Sequence, residues 1–518
     1  MFDPLRYLEQ PYGDFAALIA AHGVQRPDRI ALDDGTARLT WREVAASVNR
    51  IAAQLQADGL QKGQAVAILG ATSVNYALAY LGAIVAGGCA APLTTSATPK
   101  QLANMIADSG AMHLFVDATK RGELIANGVS LPSVRNIMLD QSMPDAQPMT
   151  EWMAAVGAVP ADSKTTPEDP FNIIYSSGTT GTPKGIVHSR QMRWRQMAVG
   201  ESTGYAQPDS ATLLSTPLYS NTTLALFLPT MAYGGTALLM PKFDCARWLE
   251  LAQSRRVTHT MLVPVQYQRL MNFAGFDEYD LSAFTHKYCT SAPFAAELKA
   301  EVLRRMPGGL IEIYSMTEGG VVCILLAHDH PDKLHTVGIP WGGSAVITID
   351  EELNRLPAGT MGELVGRSHT MMSGYQNQPE KTAEASWFDE DGNRWQRMGD
   401  IGCVDQDGFV TLMGRSKDMI ISGGFNIYPR DLEEALCAQS GVADAAVIGV
   451  PSEQWGETPV GFIVARPGVV LDAAAVMAAT NAELGKTQRL SALHLIDELP
   501  RSHIGKILKT ELRGRLGL

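Results

Sequence analysis

Tyr175-Ser-Ser-Gly-Thr-Thr-Gly-Thr-Pro-Lys-Gly185 is the stretch on which the fold of this chain turns. Its 11 positions hold five serines and threonines, three glycines and Lys184. Ahead of it Phe171, Asn172, Ile173 and Ile174 form a mainly apolar run that predicts a short buried strand. A strand opening into a turn of this composition presents backbone N–H groups in a concave nest suited to phosphate oxygens. Lys184 adds a mobile cation that can follow charge onto a departing phosphate. The spacing is neither G-x-G-x-x-G nor a P-loop, because Pro183 stands where the latter needs its second glycine. A flexible surface loop is the plain alternative.

Four further segments carry chemistry. Tyr314-Ser-Met-Thr-Glu318 follows an apolar strand candidate, Leu310–Ile313. Mg²⁺ arriving with a triphosphate prefers one or two carboxylates plus phosphate oxygens and water, and Glu318 can supply one. Tyr314 offers a flat face for adenine and Thr317 a hydroxyl for a phosphate; a helix N-terminal charge is the ordinary alternative for Glu318. In Arg397-Met-Gly-Asp-Ile-Gly402, the Asp400 carboxylate can accept from both hydroxyls of a ribose, or can simply stabilise a turn beside Gly399. Pro500-Arg-Ser-His-Ile-Gly-Lys506-Ile-Leu-Lys509 holds a lysine that on composition alone would be a solvated surface residue. Ser422-Gly-Gly-Phe-Asn-Ile-Tyr-Pro429 has paired glycines that permit close backbone approach, or a plain turn.

In these segments the chain resembles the adenylate-forming superfamily, which contains acyl-CoA synthetases, amino-acid adenylation domains and beetle luciferases. Its signature (Ser/Thr)-Ser-Gly-Thr-Thr-Gly-x-Pro-Lys-Gly is met in full from Ser176 to Gly185, and the five motifs run in family order from 175 to 509. The resemblance implies that Ser176, Ser177, Gly178, Thr179, Thr180, Gly181, Thr182 and Lys184 hold ATP phosphates. By the same resemblance Ser291, Ala292 and Pro293, together with Tyr314, Ser315, Met316 and Thr317, border the adenine, and Asp400 and Arg415 hold the nucleotide. Thr179 and Glu318 serve Mg²⁺ and catalysis, and Lys506 is the catalytic lysine between carboxylate and α-phosphate, where a cation lowers the barrier between two anions. Ser422, Gly423 and Gly424 flank the pantetheine of CoA, and Lys417 is the hinge of a mobile C-terminal part. Two departures stand out: Ser315 replaces the family's glycine and Met398 its usual threonine.

The branch implied is the acid–CoA ligases. Thr216-Pro-Leu-Tyr-Ser-Asn-Thr222 lacks the acid that would meet an α-ammonium group, which argues against an amino-acid substrate, and the few residues after Lys506 leave no room for a fused carrier domain. Ser220 falls where many such ligases have histidine. The expected acyl pocket is Tyr219, Ser220, Asn221, Thr222, Val263, Pro264 and Tyr267, mixed in size and mildly polar, pointing to a medium-chain fatty or aromatic (cinnamate-type) acid. A luciferase-like enzyme, another acceptor or a silent binding protein of the same fold are the alternatives.

The bulk properties agree with this reading. With 518 residues, the chain is too long for one core and implies several domains. The net charge of −12 argues against a nucleic-acid surface. Six scattered cysteines form no metal or disulfide pattern and suggest a reducing, cytoplasmic home. Ala77–Leu93 is apolar but too short to span a bilayer, and reads as a buried helix followed by a strand. Valines, Ile51 and Leu55 on one face predict a helix from Trp41 to Leu55 capped by Thr40. Alternating helical and strand patterns predict an α/β fold with largely parallel sheets up to about 339, a small antiparallel, barrel-like unit over about 339–415, and a small α+β domain over 417–518 after a large domain over 1–416. The partners implied are a small carboxylic acid, ATP and CoA, without nucleic acid or membrane span, with a homodimer as a possible assembly.

Overall fold

The structure, a computed structural model, describes residues 2–131, 133–143, 146–175, 184–198, 207–422, 425–485, 488–502 and 505–518. Two large sheets dominate it. One has eight strands, in the order Gly374–Tyr375, Gly185–Ser189, Pro170–Tyr175, Cys89–Pro92, Ala65–Leu69, His113–Val116, Arg135–Met138, Gln147–Pro148. The other has nine: Ile339–Pro340, Gly319–Leu326, Gly309–Met316, His286–Cys289, His259–Leu262, Ala211–Leu214, Thr236–Leu239, Ile30–Asp33, Arg38–Thr40. The inner strands are parallel and run as near-continuous apolar stretches, as sheets covered on both faces require.

Helices fill the space between the sheets. Trp41–Ala57 begins with a capping box, in which the Thr40 side chain takes the Glu43 N–H while the Glu43 carboxylate takes the Thr40 N–H. Val44, Val48, Ile51 and Leu55 are fully buried, at the three- and four-residue steps the sequence pattern predicts. The apolar stretch after residue 73 is the helix Val74–Val85 followed by the strand Cys89–Pro92. Its apolarity belongs to a core: one cluster joins Ile68 and Phe115 of the first sheet to Leu32 and Leu214 of the second through Val48, Leu81 and Phe227. Among the described residues no helix is long and apolar enough to cross a membrane.

Both large sheets switch from parallel to antiparallel at one edge, and both switches fall at sequence motifs. In the first, Pro170–Tyr175 turns back into Gly185–Ser189, with Tyr175 opposite Gly185. In the second, Gly309–Met316 turns back into Gly319–Leu326, with Met316 opposite Gly319. The loops therefore leave the carboxyl ends of parallel strands, where open α/β sheets place their ligands.

The expected antiparallel unit is a five-stranded sheet formed by Ala345–Ile349, Gly362–Arg367, Arg394–Val404, Ser386–Phe388 and Val410–Arg415. It does not close its core alone. Leu364, Met398 and Val410 pack with Val321 and Cys323 of the nine-stranded sheet. A Cβ on Gly366 would lie 2.2 Å from the Val321 nitrogen, so only glycine allows this approach. Met398, in place of a threonine, is a core residue of this junction.

Beyond Ile420 a fourth sheet is built from Phe425–Ile427, Ile420–Ser422, Gly456–Ala465 and Val442–Ser452, with Ala492–Leu495 added in parallel. Pro429–Cys437 and Ala473–Glu483 pack around one small core and Lys509–Arg515 around another. The chain is thus mixed α/β, with a large N-terminal part and a smaller α+β C-terminal part.

Candidate active site

A cleft of about 1,700 Å³ is lined by the two hairpin edges, the antiparallel sheet and the C-terminal part. Single small-molecule sites run to roughly 300–1,000 Å³, so the cleft has room for a nucleotide and an acid together.

The hydroxyl-rich loop Ser176–Pro183, including Ser176, Ser177, Gly178, Thr179, Thr180, Gly181 and Thr182, lies outside the described residues, as do Gly423 and Gly424. The stems of the first loop are fixed. Tyr175 donates to Asp108 Oδ2 at 2.8 Å, and the Lys184 ammonium stands 4.9 Å from the centre of the Tyr375 ring. The Tyr375 hydroxyl donates to Glu318 Oε1 at 2.9 Å. The second Glu318 oxygen has no protein partner among the described residues and lines the cleft. A lone carboxylate of this kind fits an Mg²⁺ held mostly by phosphates and water. Among the described residues no cluster of three or more His, Cys, Asp or Glu could hold a metal without such help.

The Glu318 turn has no freedom. Gly319 has φ +83°, and a Cβ there would stand 2.2 Å from the Thr370 carbonyl oxygen. Met372 N–H donates to the Glu318 carbonyl at 2.8 Å. Ser315, Met316 and Thr317 line the cleft beside it. The Tyr314 ring also lines it, but its hydroxyl is already committed, donating to Asp400 Oδ2 at 2.7 Å. Asp400 lies opposite Arg415 in the strand register, and Arg415 Nε meets its other oxygen at 3.0 Å. Burial raises the Asp400 carboxyl above the usual range, with Arg415 and Tyr314 opposing that rise.

Lys506 enters the same cleft from the C-terminal part. Protein surrounds its ammonium on most sides, while the side chain still reaches the open space of the cleft. Desolvation lowers its pKa, Arg415 adds to the lowering, and Glu318 and Asp400 oppose it. Gly505, at φ +77°, brings this loop down onto the N-terminal part: a Cβ would touch Val263 and Val265 at 3.2 and 3.1 Å. Ser502 and Arg501 hold the loop, with Arg501 Nη1 donating to the Gly505 carbonyl at 2.6 Å. Lys417 lies in the single turn Ser416–Asp418 at the edge of the cleft.

Ser291, Ala292 and Pro293 line the cleft, and Ser291 holds φ +82°, a costly conformation for a non-glycine residue. Its hydroxyl meets that of Thr222 at 2.5 Å. Tyr219, Ser220, Asn221, Thr222 and Pro264 line the expected acyl side. Ser220 is the N-cap of Asn221–Ala232, accepting from Thr222 N–H at 3.2 Å, which gives a hydroxyl at this position a structural use.

Three of the expected residues stand outside the cleft lining. Tyr267 is fully buried, donates to the Tyr288 carbonyl at 3.0 Å and stacks on Phe294, so it stands behind the wall of the cleft. Val263 is buried as well and backs the Gly505 contact; Pro264, Val265 and Gln268 face the cleft from this segment. Ser422 is buried by pairing with Phe425 and Gly456, away from the cleft lining.

One group was not anticipated. Arg193, fully buried, donates to Asn172 Oδ1 (2.7 Å), Gln196 Oε1 (2.6 Å), Asn221 Oδ1 (2.8 Å) and His188 Nδ1 (2.9 Å). Asn172 Nδ2 meets His188 Nδ1 at 3.0 Å, so that ring nitrogen is an acceptor and Nε2–H donates to the Thr317 carbonyl at 2.6 Å. Burial keeps His188 neutral by holding its pKa well below the usual value, and brings Arg193 down to about 10, still charged at neutral pH. The two motif-bearing sheet edges are thus stitched together beneath the cleft. Arg190, Arg193 and Arg195 share one short helix; the first two are both buried, and no local pattern marks which of them builds this hub.

The fold and site together define an AMP-binding enzyme. Residues 19–376 match the AMP-binding enzyme family and residues 431–506 the AMP-binding enzyme C-terminal domain, and the chain belongs to that family. It is 32% identical to a feruloyl-CoA synthase of Amycolatopsis sp over 95% of this chain and 96% of the relative. It is 31% identical to a 4-coumarate–CoA ligase-like protein 9 of Oryza sativa subsp. japonica over 94% of this chain and 90% of the relative. The ATP-bound crystal structure of MatB from Rhodopseudomonas palustris superposes with a TM-score of 0.84 at 28% identity, covering 96% of this chain and 98% of that one. The chain is an enzyme of the ligase class to which these relatives are assigned.

Proposed function

We propose that the chain joins a carboxylic acid to CoA in two steps at this one cleft. In the first, a carboxylate oxygen bonds to the α-phosphorus of ATP and pyrophosphate leaves. In the second, the CoA sulfur bonds to the acyl carbon and AMP leaves. Splitting the reaction replaces a hopeless leaving group with a good one. Lys506 bridges the two anions of the first step, and Lys184 follows charge onto pyrophosphate. Asp400 and Arg415 hold the ribose side. Glu318, with Thr179, would hold Mg²⁺, which neutralises phosphate charge when bound. Residues 1–416 form the nucleotide-holding domain, 417–518 a mobile one pivoting at Lys417, and Ser422, Gly423 and Gly424 meet pantetheine when it has turned. The acid is a medium-chain fatty or aromatic, cinnamate-type molecule; the names of the feruloyl and coumarate relatives support the aromatic half of that range.

The observation that carries the proposal is the convergence of Lys506, Glu318, Asp400 and Arg415 on the lining of one cleft. The test is pyrophosphate release from ATP over a panel of carboxylic acids, with and without CoA, with AMP and thioester followed separately. Failure of every acid to convert ATP to AMP would sink the proposal.

A further inference from the structure

The acyl side of the cleft carries a feature that a purely apolar acid does not need. Arg193 is buried with no carboxylate partner among the described residues; each contact given above is to a neutral acceptor. A guanidinium has only donors, so every group it touches must turn an acceptor toward it. Gln196 and Asn221 therefore present their carbonyl oxygens to Arg193, and their NH₂ groups face the other way. Both side chains line the cleft, and neither amide nitrogen has a protein partner among the described residues. Arg195, one residue before Gln196, lines the same wall without an ion-pair partner among the described residues. Glu9 also lines the cleft; it is exposed and pairs with neither arginine among the described residues. The wall thus offers outward-facing donors backed by uncompensated positive charge. Such a wall penalises a bare hydrocarbon, because it leaves donors unpaired, and rewards an oxygen acceptor.

We propose that Gln196 and Asn221, their amides turned outward by Arg193, form a subsite for a second, anionic oxygen group at the far end of the acid, a carboxylate or a sulfonate. Arg193 is a positioning residue here. The inference rests on the reading of the cleft as an acid–CoA ligase site.

The test compares matched acids in the full-length enzyme: cinnamate with 4-carboxycinnamate, and hexanoate with hexanedioate, each by kcat/KM for pyrophosphate release with CoA present. 4-Coumarate, which has a neutral oxygen in place of the charged one, is the intermediate arm. The tailed acids are expected to exceed their plain partners by about tenfold or more, the worth of a charge-assisted hydrogen bond. Asn221→Asp and Gln196→Glu each keep an acceptor on Arg193 while removing a donor and the net charge. Each is expected to reduce the tailed-to-plain ratio about tenfold, and Arg193→Lys to lower it less than Arg193→Met. Should one acidic variant fail to fold, the other reads the same ratio. Equal or lower kcat/KM for the tailed acids, or a ratio unmoved in both acidic variants, overturns the subsite and leaves the ligase standing. No pyrophosphate from any acid overturns both.

Discussion

The Tyr375 phenol donates to Glu318 Oε1, while its ring carries the Lys184 ammonium on its face. One aromatic side chain thus ties the cation at the base of the hydroxyl-rich loop to the carboxylate proposed for the metal. Burial and the neighbouring carboxylate push the phenol's pKa upward, so it stays protonated and remains a donor. Tyr375→Phe keeps the ring and removes the donor. The expected outcome is a rise of about tenfold in the Mg²⁺ concentration for half-maximal activity, with little change in thermal stability, measured by magnesium titration of pyrophosphate release.

Lys506→Ala is expected to lower carboxylate-dependent pyrophosphate exchange by about 10²–10³-fold, the cost of removing one preorganised charge from a site of developing charge. Thioester formation from synthetic acyl-adenylate and CoA is expected to survive. Equal loss of both half-reactions would contradict the assignment of this lysine to the first step alone.

Gly505 combines a left-handed backbone with near-contact against Val263 and Val265. Gly505→Ala strains the backbone by about 1 kcal/mol and lifts the loop that places Lys506. Adenylation is expected to fall at least tenfold while the melting temperature changes by a degree or two. The check is a comparison of exchange rate and calorimetry on the same preparation.

Acid should weaken the N-terminal core through His22. The ring is buried against Trp41, its Nε2–H donates to the Ala232 carbonyl at 2.8 Å, and Nδ1 has no partner among the described residues. Burial lowers its pKa to about 4. The unfolded chain, near 6.5, then binds the proton more tightly than the folded one, so stability is full above about pH 6.5 and is lost as pH falls toward 4. The loss amounts to about 3 kcal/mol from this residue. His22→Gln should flatten the pH dependence in that window, as read by denaturant unfolding between pH 4 and 7.

Part of this was legible from local spacing. The strand before Tyr314–Glu318 and the capped helix after Thr40 each depend on neighbours a few residues away. The acyl wall was not. In the short helix Pro264–Met271 the cleft-facing Gln268 and the core-facing Tyr267 are adjacent in sequence, and only the position of the helix against Phe294 decides which faces inward. The Arg193 hub draws on Asn172, His188 and Asn221 from separate elements, so no single window of sequence contains it. Ser220 read as a lost histidine; as a cap it has a local reason that the structure supplies.

The packing of Val321, Cys323, Leu364, Met398 and Val410 fuses the strand behind Glu318 with the strands that carry Asp400 and Arg415. The carboxylate proposed for the metal and the one proposed for the sugar are cast in one block although they belong to different sheets. On the proposed hinge at Lys417, Lys506 is delivered or withdrawn from beyond Arg415 without disturbing that block. The proposed mechanism thereby gives holding the nucleotide and timing the chemistry to separate pieces of the same chain.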